Sequence, residues 1–306
     1  MAQWPIGSWQ RWTSAFFALS VALLVLVFLF GYSAKGAQRW LDLGLIKIQP
    51  SELVKLSMPM MLCYILSVQT AFFRWRYLLA LIVVAMVAGL IVNQPDLGTS
   101  VVIVIIGLLP LFLSGLSWAW VSTLLVMSLC LIPLAWHFML DYQKQRLLVF
   151  LNPDSDPMGG GYHIIQSKIA IGSGGLWGKG WLNGSQSHLD FIPERSTDFI
   201  FATFAEEFGF MGIAVLGLLY LFIVWRCLLI SFNASGEFNR LLAATITLSF
   251  FIHVIINISM VSGLIPVVGI PLPLMSYGGS SMVVFLASFG ILLAIDRYQP
   301  MMKSSL

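Results

Sequence analysis

Charge is what this sequence has least of. Asp, Glu, Lys and Arg make up 9% of its 306 residues, against 59% hydrophobic. A soluble domain carries roughly a quarter charged residues, so water is not the main solvent of this chain. Cysteine is scarce as well. Cys63, Cys130 and Cys227 fall inside or beside apolar runs with no CxxC spacing, and they read as small buried hydrophobes rather than a disulfide or metal set. The four histidines, His137, His163, His188 and His253, lie far apart and form no metal signature. A scattered net charge of +3 leaves no basic footprint for nucleic acid. The first apolar run is long and lacks a small-residue cleavage site, so it is expected to stay as a helix.

What the chain has in abundance is uncharged apolar sequence. Phe16–Phe30, Val101–Leu113 and Val283–Ile295 carry no charge at all. A helix needs about 20 mostly apolar residues to cross the hydrocarbon core. Open sheets cannot span lipid, and these runs do not alternate as barrel strands do. The expected fold is therefore all-α: a polytopic membrane helical bundle forming a single membrane domain over 1–306. The expected spans, about eight, lie near 13–31, 51–68, 77–93, 98–114, 118–139, 199–228, 241–261 and 279–296, with one large extracytoplasmic loop at about 140–197. Only Ser114–Ser117 separates the fourth span from the fifth, which reads as a tight helical hairpin.

Basic residues set the expected orientation. With both termini in the cytoplasm, Arg11, Arg74, Arg76, Arg226, Arg240, Arg297 and Lys303 are cytoplasmic, and the short outer loops hold only Lys35, Arg39 and Lys47. Of the 13 acids, Glu237 and Asp296 alone fall on the cytoplasmic side. That asymmetry concentrates potential chemistry on the outer face.

Charges at membrane depth are expensive and mark candidate functional residues. Glu52 and Lys55 stand three apart on one face of the second span, where they can pair. A neutralised pair that locks helices together and a functional pair explain them equally well. Ser51, in Gln49-Pro50-Ser51-Glu52, is a candidate N-cap. Asp96, between Pro95 and Leu97-Gly98, is ordinary turn chemistry taken alone. Asp198 stands where the large loop enters the sixth span. Helix capping explains one acid or hydroxyl there, but Glu194, Ser196, Thr197 and Asp198 crowd the stretch, and Glu206 and Glu207 follow two turns later. Such a face must meet water, a cation or basic partners. Arg146, Lys168, Lys179 and Arg195 on the large loop, with Lys35 and Arg39, are cations that can hold a pyrophosphate. The loop's glycines match no P-loop, because no Gly-Lys-Ser/Thr opens a helix. Pro266, Pro271 and Pro273 forbid a continuous helix before the last span. That apolar segment must pack on protein or line a cavity, either as a re-entrant connector or as a shield for a lipid chain.

These motifs resemble the SEDS family of bacterial cell-wall polymerases. The resemblance rests on Ser33-Ala34-Lys35-Gly36-Ala37-Gln38-Arg39-Trp40-Leu41, Gln49-Pro50-Ser51-Glu52, Gln94-Pro95-Asp96-Leu97-Gly98-Thr99-Ser100, Gly161-Tyr162-His163, Gln166-Ser167, Thr197-Asp198-Phe199-Ile200-Phe201, Ala205-Glu206-Glu207 and Ser276-Tyr277-Gly278-Gly279. It is closer to the RodA-type elongation branch than to the FtsW-type division branch, and it runs from about residue 30 to the end. It implies a peptidoglycan glycosyltransferase of the bacterial cytoplasmic (inner) membrane that polymerises lipid II into glycan strands beside a class B penicillin-binding protein. It further implies Asp198, Glu52 and Lys55 as catalytic residues. Arg39, Arg146, Arg195, Gln94, Asp96, Glu207 and Lys168 are the expected substrate-binding residues. A divalent cation, Mg or Mn, is the one candidate cofactor. RodA-type proteins usually have ten spans, so this chain is expected to lack the first two.

The chemistry agrees with the residue types. A sugar hydroxyl is a poor nucleophile and needs a base within hydrogen-bond reach, which Asp198 supplies at the outer interface. Polyprenyl pyrophosphate leaves already anionic, so it needs charge stabilisation more than protonation. Two alternatives stay open: a lipid II flippase or other transporter, and a truncated, non-catalytic paralogue that scaffolds the penicillin-binding protein.

Overall fold

The computed structural model describes residues 1–298 except 35–36, 43, 45–46, 69–72, 154–155, 157–159, 189–193 and parts of 118–140. The fifth expected span and Lys35 lie largely or wholly outside the described residues. In chain order the elements are α1 (Ile6–Phe30), β1 (Tyr32–Ala34), β2 (Ala37–Asp42), β3 (Lys47–Ile48), α2 (Pro50–Ser67), α3 (Phe73–Val92) and α4 (Leu97–Leu113). They continue as α5 (Asp141–Leu151), α6 (Gly160–Ser173), α7 (Ser185–His188), α8 (Ile200–Asn233), α9 (Glu237–Val261) and α10 (Gly279–Arg297). Among the described residues, five helices are long and apolar enough to cross a membrane: α1, α3 from Trp75, α8, α9 and α10. The chain is a multi-pass helical membrane protein. Helix α4 is apolar but shorter, and the polar residues of α2 keep it less apolar than the rest.

The chain divides into two compact units. The first comprises Met1–Ser117, Val224–Phe250 and Gly279–Leu306. Its centre is α2, which packs on α1, α3, α4 and α10 and buries nearly every side chain. Carrying Ser51, Glu52, Lys55 and Ser57, it has too much polarity to face lipid and is enclosed by its more apolar neighbours. Helix α1 buries the stripe Thr13, Phe17, Ser20, Leu24 and Val27, the spacing of one helical face. The hydroxyls on that stripe turn back to their own helix, Thr13 to Trp9 O and Ser20 to Phe16 O, each at 2.8 Å. Both hydroxyls of that stripe are thereby paired within the helix.

Helix α2 starts two residues earlier than a Ser51 cap would place it. Gln49 is the N-cap, without a side-chain cap, and Ser51 is already helical. The reason is Pro50: its fixed φ suits the first helical position, and the N–H it lacks would have gone unpaired there. Among the described residues, the one set of strands in this helical chain precedes it. Strands β1, β2 and β3 form a small antiparallel sheet in the order β1-β2-β3, with Tyr32 opposite Trp40 and Asp42 opposite Lys47. Strand β2 is paired on both edges, which makes it a firm platform at the end of α1.

The second unit comprises Trp118–Ile223 and Phe251–Gly278. The expected polar loop folds here into α5, α6 and the single turn α7. Ser167 on α6 donates to the carbonyl of Val261 at 2.9 Å, satisfying an end-of-helix acceptor of α9. The sixth expected span is not one continuous helix. It breaks at Gly209, where φ is 64° and ψ −164°, a conformation open only to glycine. A break inside an apolar helix frees backbone groups that lipid cannot satisfy. Residues 174–180 satisfy them: Lys179 N and Gly180 N donate to the carbonyls of Glu206 and Glu207, both at 3.0 Å, while Phe210 N and Met211 N donate to Gly175 O and Leu176 O at 2.9 and 3.1 Å.

Candidate functional site

In the first unit the expected pair is formed. Lys55 Nζ lies 2.5 Å from Glu52 Oε1, with both side chains buried. Three residues apart on α2, they are held on one face by helix geometry alone. Lys55 also borders a void of about 20 Å³, room for about one water molecule. The hydroxyl-bearing residues Thr247, Ser249 and Ser288 share that lining.

Asp96 does more than turn the chain. One carboxylate oxygen caps α4, accepting from Thr99 N at 3.1 Å. The other lies 3.2 Å from Arg39 Nε. Arg39 comes from β2, and its second guanidinium arm donates to Pro95 O at 3.3 Å. The 3.2 Å approach is an ion-pair contact, since the Nε–H is not aligned as a hydrogen bond. Asp96 is almost fully buried, whereas Arg39 keeps about a quarter of its side chain exposed. Beside them Gln94 Nε2 donates to Leu24 O on α1 at 2.9 Å. Arg39, Gln94 and Asp96 are thus one tied group, joining the sheet, α1 and the start of α4.

In the second unit Asp198 is half-buried and stands two residues before α8. A local turn delivers it: Thr197 N and Phe199 N both donate to Glu194 O, at 3.0 and 3.3 Å. Asn257 of α9 and the proline-rich segment after that helix then fix the backbone of 196–198. Asn257 Nδ2 donates to Asp198 O at 2.9 Å and to Ile270 O at 2.7 Å. Ser276 Oγ donates to Thr197 O at 2.6 Å while accepting from Leu272 N at 2.7 Å. Tyr277 N donates to Ser196 O at 2.8 Å. Gly269, at φ +71°, lies beneath the carboxylate, and a Cβ there would stand 3.4 Å from Asp198 Oδ2. The segment 266–278 is therefore a packed, non-helical clamp on residues 196–198. Its prolines prevent a helix and leave carbonyls free for Asn257.

Glu206 meets the basic partner its burial requires. Its Oε1 accepts from Lys179 Nζ at 2.7 Å, Gln186 N at 3.0 Å and Ser185 Oγ at 3.2 Å. This corrects the expectation for Lys179, whose ammonium is committed to Glu206 rather than to a pyrophosphate. Glu207 is also buried, and among the described residues its carboxylate has no hydrogen bond or ion pair. Arg146 on α5 and Arg195 before Asp198 are exposed. Lys168 on α6 is exposed, and its ammonium end lies over Gly263.

The ten expected site residues are shared between the units: Arg39, Glu52, Lys55, Gln94 and Asp96 in the first, Arg146, Lys168, Arg195, Asp198 and Glu207 in the second. Sequence reading missed Asn257, Ser276 and Gly269. Asn257 had a signal, since a buried amide inside an apolar helix needs a reason. Among the described residues no three His, Cys, Asp or Glu side chains converge as a metal cage. The donor set among the described residues does not by itself form a cage for a divalent cation.

Comparison with known proteins agrees with this arrangement. Residues 1–301 match the model of the FtsW/RodA/SpoVE cell cycle protein family. The chain is 48% identical over 307 residues to peptidoglycan glycosyltransferase MrdB of Escherichia coli K12, covering 100% of this chain and 83% of that protein. It is 40% identical over 295 residues to MrdB of Helicobacter pylori 26695, covering 94% of this chain and 76% of that one. Among solved structures, it resembles a chain of a peptidoglycan synthase complex that coordinates polymerization and crosslinking, at 30% identity and a TM-score of 0.84, over 98% of this chain and 85% of that chain. It also resembles the rod shape determining protein RodA of Thermus thermophilus, at 27% identity and a TM-score of 0.72, over 98% of this chain and 82% of that chain. A helical membrane fold with these motifs in order, matched along nearly its whole length, belongs to the FtsW/RodA/SpoVE family.

Proposed function

We propose that the chain is a peptidoglycan glycosyltransferase that polymerises lipid II. The observation that carries the reading is the 48% identity along the whole chain to a protein with that named activity. Asp198 acts as the base. It accepts the proton of the acceptor sugar's 4-hydroxyl as that oxygen bonds to the anomeric carbon of the donor. The bond from that carbon to the phosphate oxygen breaks, with inversion, and polyprenyl pyrophosphate leaves with the electron pair. A carboxylate suits this role only if held in position, and the ties from Asn257, Ser276 and Tyr277 support that.

Glu52 orients Lys55, and Asp96 with Gln94 orients Arg39. We assign Arg146, Lys168 and Arg195, in the unit that carries Asp198, to the pyrophosphate, where pre-placed cations stabilise developing charge. Glu207, buried without a protein partner among the described residues, is assigned to sugar hydroxyls of the substrate. The protein sits in the bacterial cytoplasmic membrane with both termini inside, as the distribution of Lys and Arg favours. Its partner is a class B penicillin-binding protein, a reading supported by the likeness to a chain of a synthase complex.

The buried pair Glu52–Lys55 and the broken α8 also suit a transporter. Purified chain given fluorescent lipid II, with and without the transpeptidase, separates the readings. Glycan strands support a polymerase. Movement of lipid II across vesicles without strands identifies a transporter. Neither activity from folded protein with its partner leaves the scaffold.

A further inference from the structure

The loop that repairs the break in α8 carries a conspicuous surface. Trp177 is 78% exposed, Trp181 68% and Leu176 64%. Across the backbone bonds of the break stand Phe210 and Met211, also exposed. The exposed apolar face then continues down α8 through Val215, Leu218 and Phe222. The one charge of the loop between its tryptophans, Lys179, is paired with the buried Glu206. The surface is thus apolar outside and ion-paired beneath.

Its position follows from the helix it clamps. At about 1.5 Å per residue the part of α8 after Gly209 is about 36 Å long, enough to cross a hydrocarbon core of about 30 Å. The loop is bonded to the first residues of that stretch, so its height in the membrane is set by the helix and not by its own flexibility. It must lie where the spanning helix begins. Tryptophan is enriched at that level, because an apolar ring with one N–H suits the headgroup boundary. The backbone contact permits no slack: a Cβ at Gly178 or Gly209 would collide with backbone of the opposite segment.

We propose that residues 174–182 form a membrane-interface anchor, with Trp177 and Trp181 inserted at the headgroup–acyl boundary beside the N-terminal end of the long part of α8. The anchor fixes the depth of the helix break, and with it the short helical segment 200–208 that follows Asp198. The occupant of this surface is the bilayer, because the patch is continuous with the apolar face of a spanning helix and its one charge, Lys179, is already paired with Glu206.

The test uses the full chain in vesicles of phosphatidylethanolamine and phosphatidylglycerol. Trp177→Cys, in a Cys130→Ser background that leaves only buried Cys63 and Cys227, is labelled with an environment-sensitive fluorophore. The expected result is a blue-shifted emission, little quenching by aqueous iodide, and several-fold stronger quenching by lipids with a nitroxide near the headgroup than by lipids with it near the acyl terminus. Free quenching by iodide with no response to nitroxide lipids overturns the proposal. So does a label that is shielded only when the transpeptidase is added, which makes the patch a protein interface. Label-free confirmation comes from Trp177→Phe/Trp181→Phe, a conservative pair that keeps the loop's packing. Wild type must lose more tryptophan emission to shallow brominated lipid than this variant does, and equal loss overturns the proposal.

Discussion

Asn257 holds the backbone of Asp198: its side-chain amide donates to the Asp198 carbonyl at 2.9 Å from within the apolar helix α9. The same nitrogen donates to Ile270 O at 2.7 Å, so one amide joins the entry to α8 to the proline-rich segment. The bond to Ile270 is buried and the bond to Asp198 partly so. Removing the donor leaves two carbonyls unpaired, at about 1–3 kcal/mol each.

Asn257→Asp is therefore expected to be worse than its small size change implies. A carboxylate cannot donate, and it would face two carbonyl oxygens. We expect polymerisation to fall on the order of tenfold or more, with thermal stability lowered as well. Asn257→Gln, which keeps the donor on a longer arm, should retain more activity than Asp. Equal activity of Asp and wild-type chains would show that this tie does not position the base.

The Glu52–Lys55 pair permits a test of lock against chemistry. Breaking a buried pair by removing one partner costs about 3–5 kcal/mol, whereas replacing both by apolar residues is often neutral. Glu52→Gln and Lys55→Met should each lower the melting temperature in detergent. The double change Glu52→Leu/Lys55→Met should restore it. If the pair also serves the reaction, the double variant stays inactive while folding normally. Recovery of polymerisation along with stability would reduce the pair to a structural lock.

Asp96 has two separable duties. Asp96→Asn keeps an oxygen to cap α4 but discharges the ion pair with Arg39, while Asp96→Ala loses both. The cap is worth about 1 kcal/mol, so Ala should be less stable than Asn by about that amount in thermal unfolding. Both should slow polymerisation, because Arg39 is no longer aimed. A variant pair with identical stabilities would remove the cap from the account.

Gly269→Ala tests the space under Asp198. A left-handed backbone costs an L-residue about 1–2 kcal/mol, and the added methyl would touch the Asp198 carboxylate. Expression and folding should survive while activity drops severalfold. An unchanged rate at lower stability would mean that the carboxylate is not held by this contact.

Much of the arrangement was legible in the residues themselves. Glu52 and Lys55 are three apart on a helix, and local geometry suffices to pair them. The proline-rich segment and the crowded acids before α8 announced irregular, polar structure. What escaped was non-local. Asp96 looked like a turn residue because its ion-pair partner, Arg39, arrives from a sheet 57 positions earlier in the chain. Lys179 looked available until the break at Gly209 brought Glu206 beneath it. A lone glycine in an apolar run gives no warning of a break, because the segment that repairs it lies elsewhere in sequence. Ser51 missed the cap by two residues, since Pro50 took the first helical position and left Gln49 outside.

The most direct test of the central claim is polymerisation of lipid II by Asp198→Asn beside wild type, with the transpeptidase present. Asn is nearly isosteric, so the bonds from the Asn257 side chain to the residue 198 carbonyl and from Phe199 N to Glu194 O remain, and circular dichroism should report the same helix content. The account predicts strands from wild type and essentially none from the variant, because an amide cannot take the acceptor's proton. Normal strand synthesis by folded Asp198→Asn would contradict it and place the base elsewhere.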